Sequence, residues 1–246
     1  MERHAQKCAE LIHNAKSVAA LTGAGISTSA GIPDFRGPRG LYVTKKYDAD
    51  KVFNINHFSL DPLPFFEFAR DFVGLEQSLQ PTSTHKFLSG LENSGKLQGI
   101  ITQNIDCLHQ RAGSQNVLEL HGSFESSYCV DCEKHYDYGK MSEKLVLENI
   151  PFCECGGVVK PDIVFFGENV KCLDEAYTLA ENVDLFLVVG TSCAVYPAAS
   201  IPTFVNGKII VVNFSPIQND YANIVLSIQE DIDHFFLKVS EHLETL

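Results

Sequence analysis

Four groups of residues carry side chains able to do chemistry. Cys129-x-x-Cys132 and Cys153-x-Cys155 hold four thiols in one segment, with 20 residues between the pairs. Each pair can close a tight knuckle, and four thiolates together make a tetrahedral zinc site of the ribbon type. A redox dithiol at Cys129 and Cys132 is the other reading of the first pair, but it leaves the second pair idle. A closed four-sulfur site has no open position for water, so zinc there would serve folding and not chemistry. His121 stands before Gly122, where an imidazole could act as a general base, though a lone histidine is as readily structural. Thr102-Gln103-Asn104-Ile105-Asp106 places two amides and a carboxylate side by side. Gly23-Ala24-Gly25 meets part of the dinucleotide fingerprint, whose third glycine position is taken by Thr28, with Gly31 three residues later. An ordinary strand-to-loop turn is the alternative there. The peptide Pro33-Asp34-Phe35-Arg36-Gly37 then sets an acid, an aromatic and a base between turn formers, which a plain linker does not require.

These residues need elements to hold them. Residues 17–22 form an apolar run that predicts a buried strand leading into the glycines, which let the backbone turn sharply and approach a ligand closely. A helix starting near Ser27 or Thr28 would aim unpaired N–H groups at a pyrophosphate. Apolar positions at Ala5, Cys8, Leu11, Ile12 and Ala15 predict a helix over 2–16. Further buried strands are expected at 97–102, 117–120, 184–190, 208–213 and 223–228, extended structure at 163–168, and helices at 84–93, 172–182 and 231–243. Residues 58–75, rich in phenylalanine, read as one or two helices. Buried strands alternating with helices give a parallel sheet with right-handed crossovers. Gln103, Asn104, His121, Gly190, Thr191, Ser192 and Asn213 all fall at carboxyl ends of such strands, where doubly wound sheets bind ligands. The expected fold is therefore α/β, a Rossmann-like doubly wound parallel sheet with a small inserted zinc-ribbon domain. The boundaries follow: a nucleotide-binding domain of 1–36, 76–122 and 163–246, a cofactor loop and helical part of the small domain at 37–75, and its zinc-binding part at 123–162.

Composition narrows the function classes. The 246 residues are 45% hydrophobic and 20% charged, which fits a globular chain and not a disordered one. Nineteen basic against 31 acidic residues leave a net charge of −12, which argues against direct nucleic-acid binding through phosphate neutralisation. No apolar run approaches a membrane span and the first residues lack a signal-peptide layout, so a cytoplasmic protein without membrane contact is expected. Cys8, Cys107, Cys172 and Cys193 are scattered and read as small hydrophobes. A monomer is expected.

Taken together and in order, Gly23-Ala-Gly-Ile-Ser27 with Pro33-Asp-Phe-Arg36, Thr102-Gln-Asn-Ile-Asp106, His121-Gly122, the four cysteines and Gly190-Thr-Ser192 resemble the sirtuins, NAD-dependent protein-lysine deacylases, in their compact prokaryotic form. The resemblance spans nearly the whole chain. It departs from the family at Cys153-x-Cys155, where Cys-x-x-Cys is commoner. It implies that Gly23, Ala24, Gly25, Thr28, Phe35 and Arg36 surround NAD and that Gln103 contacts the ribose of the nicotinamide half. Asn104, Ile105 and Asp106 would line the nicotinamide pocket, with Asn104, Asp106 and His121 catalytic. Gly190, Thr191, Ser192, Asn213 and Asp231 would hold the phosphates and the adenosine half. An acylated-lysine peptide would add as a strand between Val164, Phe165, Gly167 and Glu168 on one side and Val195 on the other. The acyl oxygen would attack the anomeric carbon, releasing nicotinamide. His121 would then deprotonate a ribose hydroxyl that takes up the acyl group, giving O-acyl-ADP-ribose. A mono-ADP-ribosyltransferase using the same NAD site is the alternative; a non-catalytic NAD sensor would not need Asn104, Asp106 and His121 together. Relatives that remove acidic acyl groups share a Tyr-x-x-Arg pair. The matching stretch here, Phe65-Phe66-Glu67-Phe68-Ala69-Arg70, has no tyrosine, so neutral acyl groups are expected to be preferred.

Overall fold

Strands buried on both faces dictate a sheet covered by helices on both sides. The computed structural model describes residues 2–33, 47–76 and 78–246. Its strands are β1 (Val18–Thr22), β2 (Leu97–Thr102), β3 (Val117–Glu119), β4 (Gly122–Cys129), β5 (His135–Asp137), β6 (Val159–Ile163), β7 (Leu185–Val189), β8 (Lys208–Asn213) and β9 (Ile224–Gln229). All five positions of β1 and of β7 are buried, as continuous apolar runs in a parallel sheet must be. Six strands pair in the order β3-β2-β1-β7-β8-β9, every pair parallel.

Among the described residues, helices α1 (Glu2–Asn14), α2 (Ala49–Val52), α3 (Ile55–Leu60), α4 (Leu63–Glu76), α5 (Ser83–Asn93), α6 (Leu108–Arg111), α7 (Tyr138–Leu147), α8 (Leu173–Glu181) and α9 (Ile232–Leu243) accompany the strands, with two 3₁₀ helices, Ala24–Ala30 and Ala198–Phe204. One face of the large sheet packs Ala20, Ile100 and Leu187 against Ala5 and Ile12 of α1, Leu88 of α5 and Phe235 of α9. The other packs Ala19, Ile101 and Phe186 against Ala176 and Ala180 of α8 and Ile201 of the second 3₁₀ helix. The fold is thus an α/β doubly wound sheet. Among the described residues no helix is long and apolar enough to cross a membrane.

A separate three-stranded antiparallel sheet, β5-β4-β6, is inserted after β3. Its core is shared with the phenylalanine-rich segment: Phe58, Phe65, Phe68 and Phe72 join Phe124, Met141, Val159 and Phe165 in one cluster. Two stretches far apart in sequence therefore fold over a common apolar centre.

Local differences from expectation have local causes. The turn after the first glycines is a 3₁₀ helix and not an α-helix. Thr28 Oγ1 bonds back to Gly25 O at 3.0 Å, and hydroxyls that bond nearby backbone compete with the regular α turn. The stretch 164–168 leaves the strand at Ile163 and turns, with Gly167 in the left-handed region at φ +99° and Glu168 N bonded to Phe165 O at 3.0 Å. Helix α1 ends at Asn14, and β9 begins and ends one residue later than the apolar pattern implies.

Candidate active site

The chain leaves β1 toward β2 and β3 on one side and returns to β7 on the other, so β1 and β7 flank the switch point where such sheets open a crevice. There the loops after the two strands interlock through backbone. Gly23 N bonds Val189 O at 3.1 Å and Gly25 N bonds Gly190 O at 2.8 Å. A Cβ on Gly25 would lie 2.8 Å from Gly190 Cα, and one on Gly190 would lie 2.6 Å from Ile26 N. Gly190 also sits at φ +66°. Gly190→Ala is therefore expected to cost roughly 1–3 kcal/mol of stability by strain and overlap. Denaturant unfolding measures it; an unchanged midpoint would mean the loops do not approach so closely.

The polar segment after β2 faces this crevice. Asn104 Nδ2 donates to Ser27 Oγ at 3.2 Å, and Ser27 Oγ donates to Asp106 Oδ2 at 2.6 Å. Asp106 Oδ1 accepts Leu108 N at 3.0 Å, and Asn104 N donates to Thr102 Oγ1 at 3.1 Å. All three side chains, Ser27, Asn104 and Asp106, are buried. The result is a one-way chain of donors ending on a carboxylate, joining the first glycine loop to the second polar motif. Ile105 is half-buried and packs on the aromatic core. Gln103 Nε2 donates to Thr191 Oγ1 at 3.0 Å, and Thr191 Oγ1 also accepts Cys193 N at 3.1 Å, so the motifs after β2 and β7 are bonded to each other.

His121 follows β3. Its Nδ1 lies 2.8 Å from Gln103 O. A carbonyl can only accept, so Nδ1 carries the proton and Nε2 presents a lone pair. Burial lowers the imidazole pKa below its ordinary value, and the bond to Gln103 O opposes this only partly. The ring is held neutral, as a base must be. Gly122 next to it has φ +67°, and a Cβ there would fall 1.9 Å from Asp162 O, so only glycine lets β4 start beside β6. His121 O accepts Val164 N at 2.9 Å, tying the histidine to the turn 164–168.

The other expected ligand residues differ in exposure. Thr28 is exposed, and Ser192 and Asn213 are half-buried. Asn213 Nδ2 donates to Ser215 O at 2.7 Å. Asp231 is exposed and caps α9, accepting His234 N at 2.8 Å. Val164, Glu168 and Val195 are half-buried and Gly167 is exposed, whereas the Phe165 ring is buried in the aromatic cluster. Phe35 and Arg36 lie outside the described residues. Arg70 Nη1 donates to Asn149 O at 2.9 Å and reaches Glu148 O at 3.4 Å, so its charge is directed at the end of α7.

Beneath the crevice lies a set that the motifs alone do not reveal. His109 Nε2 is 2.9 Å from Thr22 Oγ1, and His85 Nδ1 accepts Thr82 N at 3.3 Å. The two rings lie 4.8 Å apart, both buried. Burial pushes His85 down to about 4 and His109 well below the ordinary histidine value, so the floor is uncharged at neutral pH. Ser27 lies inside the first glycine motif, but with Thr28 and Ser29 beside it nothing local singles it out as the hydroxyl that is buried against Asp106.

The four cysteines converge in the small sheet. Their Sγ atoms all lie within 4.8 Å of one another, with Cys129–Cys155 at 3.4 Å and Cys132–Cys153 at 3.6 Å. Tetrahedral zinc with Zn–S bonds of about 2.3 Å needs S···S edges of roughly 3.8 Å, so the set fits zinc. The short Cys153-x-Cys155 spacing is accommodated by Gly156 at φ +93° and by Gly157, where a Cβ would lie 2.7 Å from Cys129 Sγ.

With this geometry in place, similarity to known proteins is extensive. The Sir2 family model matches residues 23–197. The NAD-dependent protein deacetylase of Sulfurisphaera tokodaii is 44% identical over 246 residues, covering 97% of this chain and 96% of that protein. The NAD-dependent protein deacetylase of Thermotoga maritima is 42% identical over 94% of this chain and 95% of its own length. Among solved structures, a Sir2 enzyme with a deacetylated p53 peptide and 3'-O-acetyl ADP-ribose superposes with a TM-score of 0.89 at 40% identity, over 96% of this chain and 97% of that one. A Sir2 complex with p53 peptide and NAD+ gives 0.89 at 39% identity, over 98% of both chains.

Proposed function

Because this chain belongs to the Sir2 family, we infer that it is an NAD-dependent protein-lysine deacetylase, which moves the acyl group from lysine to ADP-ribose and releases nicotinamide. NAD is its cosubstrate and an acylated-lysine peptide or protein its partner. The observation that carries the reading is the imidazole of His121, oriented by Gln103 O and kept neutral by its burial, at the same crevice as the Asn104–Ser27–Asp106 chain.

Roles follow from what each group can do. The turn of Gly23, Ala24, Gly25 and Thr28, with Phe35 and Arg36, encloses NAD beside Gly190, Thr191 and Ser192, and Asn213 and Asp231 sit toward the adenosine half. Asn104, Ile105 and Asp106 form the nicotinamide pocket, where Asp106 keeps a fixed carboxylate for the carboxamide. Gln103 serves twice: its carbonyl orients His121 and its side chain meets the ribose. Holding the acyl oxygen against the anomeric carbon replaces a chance encounter by an oriented one, worth up to about 7–11 kcal/mol. His121 Nε2 then takes the ribose hydroxyl proton. The peptide lies between 164–168 and Val195; Phe165 contributes backbone position, since its ring is committed to the core. The thiolates of Cys129, Cys132, Cys153 and Cys155 would hold zinc, which supplies folding free energy to the small domain. That domain comprises 37–75 and 123–162, and 1–36, 76–122 and 163–246 form the nucleotide-binding domain. The acidic balance of the chain argues against direct nucleic-acid binding, and the protein is read as a cytoplasmic monomer.

Mass spectrometry of an acetyl-lysine peptide incubated with and without NAD tests the activity. Loss of the acetyl group with NAD alone, and appearance of O-acetyl-ADP-ribose, is the expected result. A gain of ADP-ribose on protein with the acetyl group intact would favour the mono-ADP-ribosyltransferase, which has no need of an oriented neutral base.

Acyl preference is a further expected outcome. A succinyl carboxylate would enter a site walled by phenyl rings, with Arg70 bonded to Glu148 O and Asn149 O. An unpaired carboxylate buried there costs several kcal/mol, whereas neutral chains meet no such cost. On one peptide, kcat/KM should be high for acetyl, retained for butyryl and at least about a hundredfold lower for succinyl. A succinyl value at or above the acetyl value would mean Arg70 leaves its carbonyls for the substrate.

A further inference from the structure

A lysine inside a protein core must be paired to be tolerated, and what it is paired to is informative. Lys160, at the second position of β6, is 2% exposed. Its Nζ donates to Ile163 O at 2.6 Å and to Glu168 Oε2 at 3.0 Å. The same carboxylate oxygen accepts Phe165 N at 2.7 Å. The ammonium also lies 4.2 Å from the centroid of the Phe165 ring and 5.6 Å from that of Tyr128. One buried charge thus gathers the first residue of the turn, its last side chain and, through that side chain, its middle.

The turn closed in this way is the segment 163–168. Its inner groups are spent on the fold: Val164 N on His121 O, Phe166 N on Phe53 O, and Phe166 O on Ile55 N. Gly167, exposed at φ +99°, keeps its N–H and C=O without partners among the described residues. A free N–H and C=O on a rigid exposed edge are what an added strand uses. The carboxylate of Glu168 is occupied by Lys160 and Phe165 N, so its side chain supports the turn and is not offered to a peptide.

We propose that Lys160 is a positioning residue for substrate: through Glu168 it holds 164–168 in the shape that presents the Gly167 backbone to the acyl-lysine peptide. The inference rests on the assignment of this segment to peptide binding. Without the ammonium the turn loses its common anchor, and the peptide must order it on binding, which weakens affinity without touching the chemical step.

The test is Lys160→Met, which keeps length and removes charge. Peptide Kd and KM should rise about tenfold, with NAD affinity and kcat at saturating peptide within about twofold. Lys160→Arg, which keeps a charged donor, should recover most of the loss. Should Lys160→Met fail to fold, Lys160→Gln, which keeps a donor for Ile163 O but loses the ion pair to Glu168, is read in its place and should raise peptide KM with kcat retained. Equal losses in NAD and peptide binding in a folded variant, or no change in either, would overturn the proposal. Hydrogen exchange on the wild-type chain separates the two levels. If acetyl-lysine peptide fails to protect 164–168, the peptide assignment falls and the proposal with it. If it does protect them while Lys160→Met binds peptide normally, the positioning role alone is wrong.

Discussion

His121→Ala lowers kcat for deacetylation by about 10²–10⁴-fold and leaves NAD affinity within a few fold; this is the expected result if the histidine is the general base. The expectation comes from the ring's two nitrogens. Nδ1 is committed as a donor to Gln103 O at 2.8 Å, which leaves Nε2 with a lone pair and fixes the plane of the ring. Removing the ring removes the proton acceptor and leaves the loops of Gly23–Gly25 and Gly190–Thr191, which bond each other, in place. His121→Asn is the sharper companion, because its amide can still donate to Gln103 O but cannot take a proton. Equal losses in both variants identify proton transfer as what is missing. The pH profile gives an independent reading. Protonating Nε2 destroys the base, so kcat falls as pH drops through the pKa of His121. Burial places that pKa below the ordinary histidine value of about 6.5, so the acid limb should lie below it. Turnover of His121→Ala within a few fold of wild type would remove the histidine from the mechanism.

Much of this site was legible in the chain because each motif follows an apolar strand. Val18–Thr22 and Leu185–Val189 announce themselves by continuous burial-prone residues and Leu97–Thr102 by a run broken only at Gln98, and the glycines and small polar groups after them mark the carboxyl ends. What stayed hidden depends on pairs that no local pattern joins. Ser27 reaches Asp106 across 79 residues and Thr22 meets His109 across 87, and neither serine nor threonine advertises which distant group it will bond. The same holds for the small core. Phe58, Phe65 and Phe72 read as a helix face, but their partner surface, Phe124 and Phe165, is supplied by β4 and the turn after β6. Periodicity identifies a buried face and says nothing about what buries it. Lys160 is the extreme case: a charged residue in a strand is expected at the surface, and only the carbonyl of Ile163 and the carboxylate of Glu168 explain its burial.

Removing the metal is expected to have the second large effect, because little else orders the outer end of the small sheet. Strand β5 has three residues, and the two knuckles are held by few backbone bonds: Cys129 N to Lys134 O, Glu133 N to Cys129 O, Cys153 N to Gly157 O and Gly156 N to Cys153 O. Cys129 and Cys153 are buried while Cys132 and Cys155 are exposed, so the metal would join core to surface. Four thiolates within 4.8 Å repel one another without a cation. Structural zinc in zinc-finger peptides supplies about 10–16 kcal/mol, and since such a site does not preexist in the unfolded chain, that free energy is folding free energy. The purified protein should contain one zinc per chain. Chelation, or Cys129→Ser, should abolish deacetylation and remove hydrogen-exchange protection from 122–163, while β1, β7 and β8 stay protected by their own core. The aromatic cluster couples the loss to the peptide side of the crevice, because Phe165 and Val159 belong to the same core as Met141 and Leu145. Ligand thiols must be deprotonated, so protons compete with zinc and release should grow as pH falls. A protein free of zinc that is fully active and fully protected over 122–163 would show that the thiols need no metal to hold the fold.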